Sequence, residues 1–355
     1  MNFRYGFIAE LVKQGHKVQV IVPDPPLSAL KINGFKIECL SYPLIRNRIN
    51  PFYDIKTLFS LILLCRKINP DIVISFSIKP VIYSGLAVYF NPKIKFYSVI
   101  TGLGYSFYGK SLFRILLKET SLFLYKIALA KAKKVVFQNI DNLNYFNKKG
   151  VISSECSILI HGSGVNIDYF KQTKLPNTKN VTFIMVSRLI KEKGVIEYIE
   201  AAKIVKKEFP KAIFCLLGSK EDSMDAVDFK IIKKNHNNRN IFYCGFRNDI
   251  RNYIKNSHVF VLPSYHEGMP KSSLEAMSMG RPLITTNVSG CRDTVVNMKN
   301  GILVEARNSS DLSSAMIYMI KNRSKLKLMG NLSRRMAAKK FEINKINSKL
   351  LRILN

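Results

Sequence analysis

Short runs of apolar, β-branched residues alternate along the chain with longer stretches whose apolar residues recur at helical spacing. In the first half this pattern predicts helices near 8–14, 55–68 and 112–132 and strands at 17–22, 36–40, 72–76, 96–100 and 135–138. In the second half it predicts strands at 182–186, 213–217, 241–244, 259–262, 283–285 and 301–304. Continuous apolar strands separated by helices are typical of buried parallel sheets, so we expect an α/β protein.

A chain of 355 residues is long enough for two such domains. The polar, proline-containing stretch 170–179 separates the two series of strands. We therefore expect an N-terminal domain at 1–169, a linker at 170–179 and a C-terminal domain at 180–340. A C-terminal helix at 341–355 could cross back to the N-terminal domain. The chain enters a helical pattern within a few residues of Met1, whereas such a domain normally opens with a strand, so we expect its first strand to be missing.

The charge is strongly positive and widely spread. The chain has 56 Lys and Arg against 24 Asp and Glu, a formal net charge of +32, and the residues up to Lys174 already hold 24 of the basic and 9 of the acidic ones. Such a charge favours nucleic acid, an anionic lipid surface or phosphorylated substrates as partners. An A/T-rich gene, which also enriches Lys, is the compositional alternative. The apolar and basic stretch 112–134 predicts a helix that could lie on an anionic membrane, or else a core helix with a solvated basic edge.

The cysteines indicate a reducing compartment. All six are scattered without a Cys-x-x-Cys pair, which argues against a disulfide scaffold or a zinc site. No apolar run approaches the ~18 residues of a spanning helix, and the N-terminus lacks the order of a signal peptide. We expect a protein that is soluble or peripheral on the cytosolic side of a membrane, without a bound cofactor or metal.

Two stretches of the second half carry the candidate chemistry. Arg188 and Lys193 follow a predicted strand and precede a helix, where two cations could neutralise a diphosphate, although solvated surface cations are the simpler alternative. Glu267 and Glu275 lie before and inside the helix that follows the strand 259–262. Carboxylates at such positions can accept hydrogen bonds from the paired hydroxyls of a sugar or a ribose.

The order of motifs over 155–340 resembles family-4 glycosyltransferases of the GT-B fold. These motifs are Ser187-Arg188-Leu189, Leu217-Gly218, Gly245-Phe246-Arg247, Val261-Leu262-Pro263-Ser264, Glu267-x7-Glu275, Gly280-Arg281-Pro282 and Asn300-Gly301-Ile302-Leu303-Val304. The resemblance implies two doubly wound Rossmann-like domains that face each other across a cleft, and transfer from a UDP-sugar with retention at the anomeric carbon.

Carried over by motif position, the resemblance also assigns roles. Arg188 and Lys193 would bind the donor diphosphate, Glu267 the sugar and Glu275 the nucleotide ribose. Backbone amides would hold sugar hydroxyls and phosphate, and two further residues would lie near the base. The amides belong to Gly268, Met269, Pro270, Lys271 and Ser272, and the base residues are Phe246 and Arg247.

The first half is similar to a bacterial subgroup that adds N-acetylhexosamines or related sugars to polyprenyl-diphosphate-linked saccharides. The similarity rests on 70–73, 77–80, 101–105 and 136–139, with Ser-Gly-Cys-Arg-Asp at 289–293 in the second half. It implies a lipid-linked saccharide acceptor and a role in glycoprotein, lipooligosaccharide, O-antigen or capsule assembly. It also implies a cytoplasmic protein that is peripheral on the cytoplasmic face of the inner membrane. The predicted acceptor residues are Gly102, Leu103, Gly104 and Lys79.

Two other functions remain open from the sequence. A UDP-sugar epimerase of the same GT-B shape would convert the donor without an acceptor. A basic protein that binds nucleic acid would suit the charge, but the sequence has no RNP-like motif, no zinc finger and no clustered basic stripe.

Overall fold

The computed structural model describes residues 4–25, 30–32, 34–45, 50–104, 107, 111–223 and 225–354. The chain divides into two compact units. The first unit comprises Met1–Ser163 with Asn344–Asn355, and the second comprises Gly164–Ile343. The stretch 170–179, predicted as a linker, falls within the second unit and contains no helix or strand.

The helices and strands of the first unit alternate as expected for an α/β protein. They are α1 (Tyr5–Lys13), β1 (Gln19–Val22), β2 (Leu30–Ile32), β3 (Phe35–Ser41), α2 (Pro51–Ile68), β4 (Ile72–Phe76), α3 (Ile78–Tyr89), β5 (Lys95–Ile100), α4 (Leu112–Leu129), β6 (Ala132–Phe137), α5 (Ile140–Lys148), β7 (Ser157–Leu159) and α12 (Ile343–Leu354). The strands form one sheet of order β1-β3-β2 and a parallel sheet of order β4-β5-β6-β7.

Side chains of β5 and β6 alternate between two hydrophobic cores. Phe96 and Phe137 belong to a core shared with α2, α3, α4 and α5, whereas Val99 and Val136 point to a core shared with α1 and α12. This alternation follows from the two-residue period of a strand. The parallel sheet is therefore covered by helices on both faces.

Within the described residues α1 is the first element and no strand precedes it. The expectation of a missing first strand stays a prediction. The end of the helix predicted at 112–132 is wrong, because α4 ends at Leu129 and β6 begins at Ala132. The β-branched pair Val135-Val136 favours a strand there, and it pairs in parallel with β5.

The second unit contains a single parallel sheet of six strands in the order β10-β9-β8-β11-β12-β13. Its elements are β8 (Thr182–Val186), α6 (Val195–Glu208), β9 (Ile213–Leu217), α7 (Phe229–Asn237), β10 (Phe242–Tyr243), α8 (Arg251–Lys255), β11 (Val259–Leu262), α9 (Lys271–Ser278), β12 (Leu283–Thr286), β13 (Gly301–Val304), α10 (Ser309–Lys321) and α11 (Leu326–Lys340). All strands predicted for this half are confirmed, within one residue at each end. The short strands β2 and β7 of the first unit were not predicted.

The strand order of the second unit reverses direction between β8 and β11. The chain runs outward from β8 to β9 and β10, and then returns to build β11, β12 and β13 on the other side. In open α/β sheets, ligands bind outside the carboxyl ends of the strands at such a switch point. The loops that follow β8 and β11 are therefore the first place to look for a site.

Candidate functional site

The loop after β8 carries the two predicted cations. Arg188 is exposed, and its guanidinium has no hydrogen-bond partner among the described residues. Lys193 ends a 3-10 turn that leads through Gly194 into α6. Gly194 has φ +72°, and a Cβ there would overlap the carbonyl oxygen of Pro263, in the loop after β11. Only glycine lets these two loops approach so closely.

The contact between the two loops brings two predicted site residues together. Lys193 Nζ donates a hydrogen bond of 2.5 Å to Glu267 Oε1, and their side chains are only 18% and 12% exposed. Ser264 Oγ donates to the same carboxylate oxygen at 2.9 Å. A half-buried ion pair thus lies at the switch point, with the exposed Arg188 on the same loop as Lys193.

The backbone beside Glu267 is fixed by the loop that follows β12. The Glu267 N–H donates to the carbonyl of Ser289 at 3.2 Å. A Cβ at Gly290, which has φ +74°, would lie 2.5 Å from the carbonyl oxygens of both Glu267 and Gly268. The Ser-Gly-Cys-Arg-Asp run at 289–293 therefore packs against the loop after β11 that carries Glu267 and holds its backbone in place. We call this loop the acidic loop. The sequence analysis identified this run but did not predict that it contacts the backbone of Glu267.

Helix α9 continues from the acidic loop and buries the second glutamate. Glu275 is 8% exposed, and burial raises its pKa to about 7, although the nearby Lys271 lowers it. Lys271 Nζ lies 3.8 Å from Glu275 Oε1, one helical turn earlier. Because the Glu275 carboxylate is buried, a ligand that donates hydrogen bonds to it would stabilise its ionised form.

The residues predicted near a base, Phe246 and Arg247, lie in the loop that follows strand β10. Gly218 donates a backbone hydrogen bond of 3.1 Å to the carbonyl of Gly245, so the loops after β9 and β10 lie side by side. Phe246 is 61% exposed, and Arg247 Nε donates to the Tyr253 hydroxyl at 2.7 Å. Both side chains thus follow a strand that lies two positions from β8 in the sheet.

Sequence reasoning missed the groups that hold the acidic loop on its other side. His266 Nε2 lies 3.1 Å from Glu192 Oε2, and the Tyr265 hydroxyl donates to Glu197 Oε1 at 2.6 Å. Glu192 is the residue before Lys193, so the two loops are joined at successive positions. Glu192 and His266 each precede a predicted site residue, Lys193 and Glu267, but nothing in the sequence pairs them.

The acceptor residues predicted in the first unit lie near the carboxyl ends of β4 and β5. Lys79, in the first turn of α3, donates to Asp54 Oδ1 at 2.8 Å and to the carbonyl of Ile45 at 2.9 Å. Gly102 and Gly104 have φ of +153° and +67°, and Leu103 is buried. A Cβ at Gly104 would approach the Ile78 side chain to 2.7 Å, so the glycine loop packs on the start of α3. Their role in acceptor binding stays a prediction.

The described part of the chain has no group of three or more His, Cys, Asp or Glu residues that could hold a metal ion. Across the same residues, no helix is both long and apolar enough to cross a membrane.

The fold and this site match known glycosyltransferases. Residues 166–337 match the family described as Glycosyl transferases group 1, and residues 3–139 match the family described as Glycosyl transferase 4-like. A solved glycosyltransferase from Rickettsia africae has a TM-score of 0.76 at 21% identity, covering 99% of this chain and 93% of that one. The two units thus define a glycosyltransferase of the GT-B fold, which confirms the predicted fold and the predicted enzyme class.

The chain belongs to these glycosyltransferases. The Glycosyl transferase 4-like match lies in its first unit, and the Glycosyl transferases group 1 match lies in its second. Two characterised bacterial relatives are similar over most of its length. One is the N,N'-diacetylbacillosaminyl-diphospho-undecaprenol alpha-1,3-N-acetylgalactosaminyltransferase of Campylobacter jejuni, 27% identical, with 99% of this chain and 94% of the relative covered. Another is the UDP-Gal:alpha-D-GlcNAc-diphosphoundecaprenol alpha-1,3-galactosyltransferase of Escherichia coli, 27% identical, with 78% and 73% covered. The predicted similarity to enzymes that extend polyprenyl-diphosphate-linked saccharides is confirmed.

Proposed function

We propose that the chain transfers a hexose or N-acetylhexosamine from a UDP-sugar to a lipid-linked saccharide, with retention, in bacterial surface-glycan assembly. The observation that carries the proposal is the Lys193–Glu267 ion pair at the switch point of the second unit. The two relatives support it, because both act on diphospho-undecaprenol saccharides and one name specifies a UDP-linked donor.

The donor diphosphate would bind at the loop that follows β8. Arg188 is exposed and can turn toward an anion, while Lys193 can exchange Glu267 for a phosphate oxygen. Two cations there stabilise the negative charge that builds up on the diphosphate as its bond to the anomeric carbon breaks. Backbone N–H groups of Gly268, Met269, Lys271 and Ser272, at the start of α9, would add hydrogen bonds to the sugar and phosphate.

The two glutamates would recognise hydroxyl groups of the donor. Glu267, once released by Lys193, can accept hydrogen bonds from the sugar while Ser264 still holds one of its oxygens. Glu275 would accept from the ribose, and those hydrogen bonds would favour its ionised form. Phe246 and Arg247 would lie near the base. Most of the rate would then come from positioning and electrostatics.

The acceptor would bind through the first unit, at Gly102, Leu103, Gly104 and Lys79. We place the protein on the cytoplasmic face of the inner membrane, as a peripheral protein. A net charge of +32 suits both an anionic lipid surface and a diphosphate-bearing acceptor.

The test offers purified protein a panel of labelled UDP-, GDP- and dTDP-sugars, with and without membranes that carry lipid-linked saccharides. The proposal expects label in the lipid fraction from UDP-sugars only, and only with membranes present. Conversion of the donor without an acceptor would establish an epimerase instead, and transfer from GDP- or dTDP-sugars alone would contradict the assigned nucleotide.

A further inference from the structure

Helix α2 presents an apolar stripe to solvent. Phe52, Ile55, Phe59 and Leu63 follow one another at helical spacing and are 85%, 53%, 61% and 63% exposed. The opposite side of the helix buries Thr57, Leu61 and Cys65. Asn50 caps the helix at its start and Pro51 occupies its first turn, so its ends are well defined. The exposed side chains therefore belong to a firmly placed helix with a complete inner face.

Helix α4 presents a second stripe of the same kind. Phe113, Leu116, Phe123 and Ile127 are 66%, 68%, 63% and 38% exposed, whereas Leu122, Tyr125 and Leu129 are buried on the inner face. We call the eight exposed side chains of the two stripes the two-helix apolar surface. Single exposed apolar residues are common, but two stripes of large ones mark an interaction site.

The two stripes lie on the same side of the first unit. Helices α2 and α4 both pack against α3. Their buried residues Leu61, Cys65, Leu122 and Tyr125 join one core with Phe96 of the parallel sheet. Because the three helices form one layer on one face of that sheet, their outer faces point away from it together.

The surroundings of this surface are cationic. Helices α2 and α4 carry six Lys and Arg residues and only two carboxylates, and both carboxylates are paired with lysines. The cations are Lys56, Arg66, Lys67, Arg114, Lys118 and Lys126. A second copy of this chain docked face to face would bring two such sets of cations together, which is repulsive. An anionic lipid surface satisfies both features, because apolar side chains insert while lysines and arginines reach the head groups.

We propose that the two-helix apolar surface docks the protein onto an anionic lipid membrane through α2 and α4 jointly. The inference deepens the proposed function, on which it rests for its biological setting, since a lipid-linked acceptor is met at such a membrane. It extends the prediction from sequence, which considered the 112–134 stretch alone and did not include α2.

The test measures sedimentation of the full-length protein with vesicles, without donor or acceptor. Vesicles of phosphatidylglycerol and phosphatidylethanolamine are compared with vesicles of neutral phosphatidylcholine. The double variants are Phe59→Ser/Leu63→Ser on α2 and Phe113→Ser/Leu116→Ser on α4. A matched pair is Leu63→Ser and Leu328→Ser, since both leucines are 63% exposed but Leu328 lies on α11 of the second unit.

Each double variant is expected to bind anionic vesicles at least about tenfold more weakly than wild type, because two large apolar groups no longer insert. Leu63→Ser should weaken binding by a smaller factor, Leu328→Ser should bind like wild type, and neutral vesicles should bind little of any protein. Wild-type binding by both double variants would overturn the proposal. A wild-type dimer that the double variants convert to monomer, seen by light scattering, would also overturn it and assign the surface to self-association.

Failure of the proposed function would look different. In that case no variant and no wild-type protein would transfer sugar to a short-chain, water-soluble acceptor, while the loss of vesicle binding in the double variants would still be seen. If the function and the docking both hold, the double variants keep transfer to the soluble acceptor and lose transfer to acceptor in vesicles.

Discussion

Lys193 and Glu267 form a hydrogen-bonded ion pair of 2.5 Å that joins the loops after two neighbouring strands, β8 and β11. The pair lies where the strand order of the second unit reverses. The ammonium and the carboxylate therefore neutralise each other. We expect a nucleotide-sugar donor to separate the pair, with its diphosphate binding Lys193 and its sugar binding Glu267.

This arrangement predicts opposite effects of two substitutions on UDP binding. Glu267→Gln removes the charge that holds Lys193. UDP lacks the transferred sugar that Glu267 would bind, so it should bind this variant several-fold more tightly. Lys193→Ala should weaken UDP binding at least about tenfold, since a charged hydrogen bond to a phosphate is lost. Isothermal titration of each variant with UDP measures both effects. Weaker binding by Glu267→Gln would show that the carboxylate does not compete for Lys193.

Because the two loops approach closely at Gly194, we expect one added methyl group there to lower the free energy of unfolding substantially. Gly194→Ala combines a left-handed φ of +72° with overlap of the Pro263 carbonyl, and should destabilise the protein by about 3 kcal/mol or more. Gly245→Ala is the matched control, because Gly245 has φ +74° but no atom within 4 Å of the added Cβ. It should cost about 1 kcal/mol. Urea unfolding of both variants gives the comparison, and equal losses would contradict the close contact.

Because Glu275 is buried and its pKa is raised, we expect the free energy of unfolding to depend on pH. Its pKa is raised from 4.5 to about 7, so the folded state binds its proton more tightly than the unfolded state does. Stability should therefore fall as pH rises from about 4.5 to about 7, and stay lowered above that range.

Glu275→Gln removes this ionisation and should be more stable than wild type above pH 7, by up to about 3 kcal/mol. The difference should vanish near pH 4.5. Thermal unfolding of the two proteins between pH 4.5 and 8 measures it. A constant difference across that range would contradict the raised pKa.

The contacts of Arg281, in the Gly-Arg-Pro motif, indicate that this residue has a structural role. Its guanidinium is fully buried and donates to the carbonyls of Ile254, Lys255, Thr173 and Lys174, and to the Thr173 hydroxyl. It ties the stretch 170–179 to the end of α8.

Arg281→Met keeps most of the apolar volume but removes all of these hydrogen bonds, and should lower the free energy of unfolding by about 3–5 kcal/mol. UDP affinity of the remaining folded protein should be unchanged. A stable variant that fails to bind UDP would place Arg281 in the donor site instead.

The sequence predicted the strands of the second unit, because buried parallel strands are continuous apolar runs with clear limits. It predicted less of the first unit. Residues 30–32 and 157–159 were missed because three residues are too few to show a period. The helix predicted to reach 132 ends at Leu129, because the pairing of β6 with β5 outweighs the helical pattern of this segment.

The sequence predicted the site only in part, and for a different reason. Lys193 and Glu267 are 74 residues apart, and motif order indicated them without showing that they touch. Ser264, Glu192 and Gly290 support the pair through hydrogen bonds and close backbone contacts. Such contacts depend on three-dimensional placement, and no spacing along the chain predicts them.

The most direct test of the account measures sugar transfer by Glu267→Gln and Lys193→Ala, with Lys191→Ala as the control. Lys191 is an exposed lysine on the same turn, two residues before Lys193. With a labelled UDP-sugar and a lipid-linked acceptor, the account predicts at least a ~100-fold loss of kcat in both site variants. It predicts wild-type transfer by Lys191→Ala and native circular dichroism for all three. Wild-type turnover by folded Glu267→Gln or Lys193→Ala would contradict the assignment of this pair to the donor site.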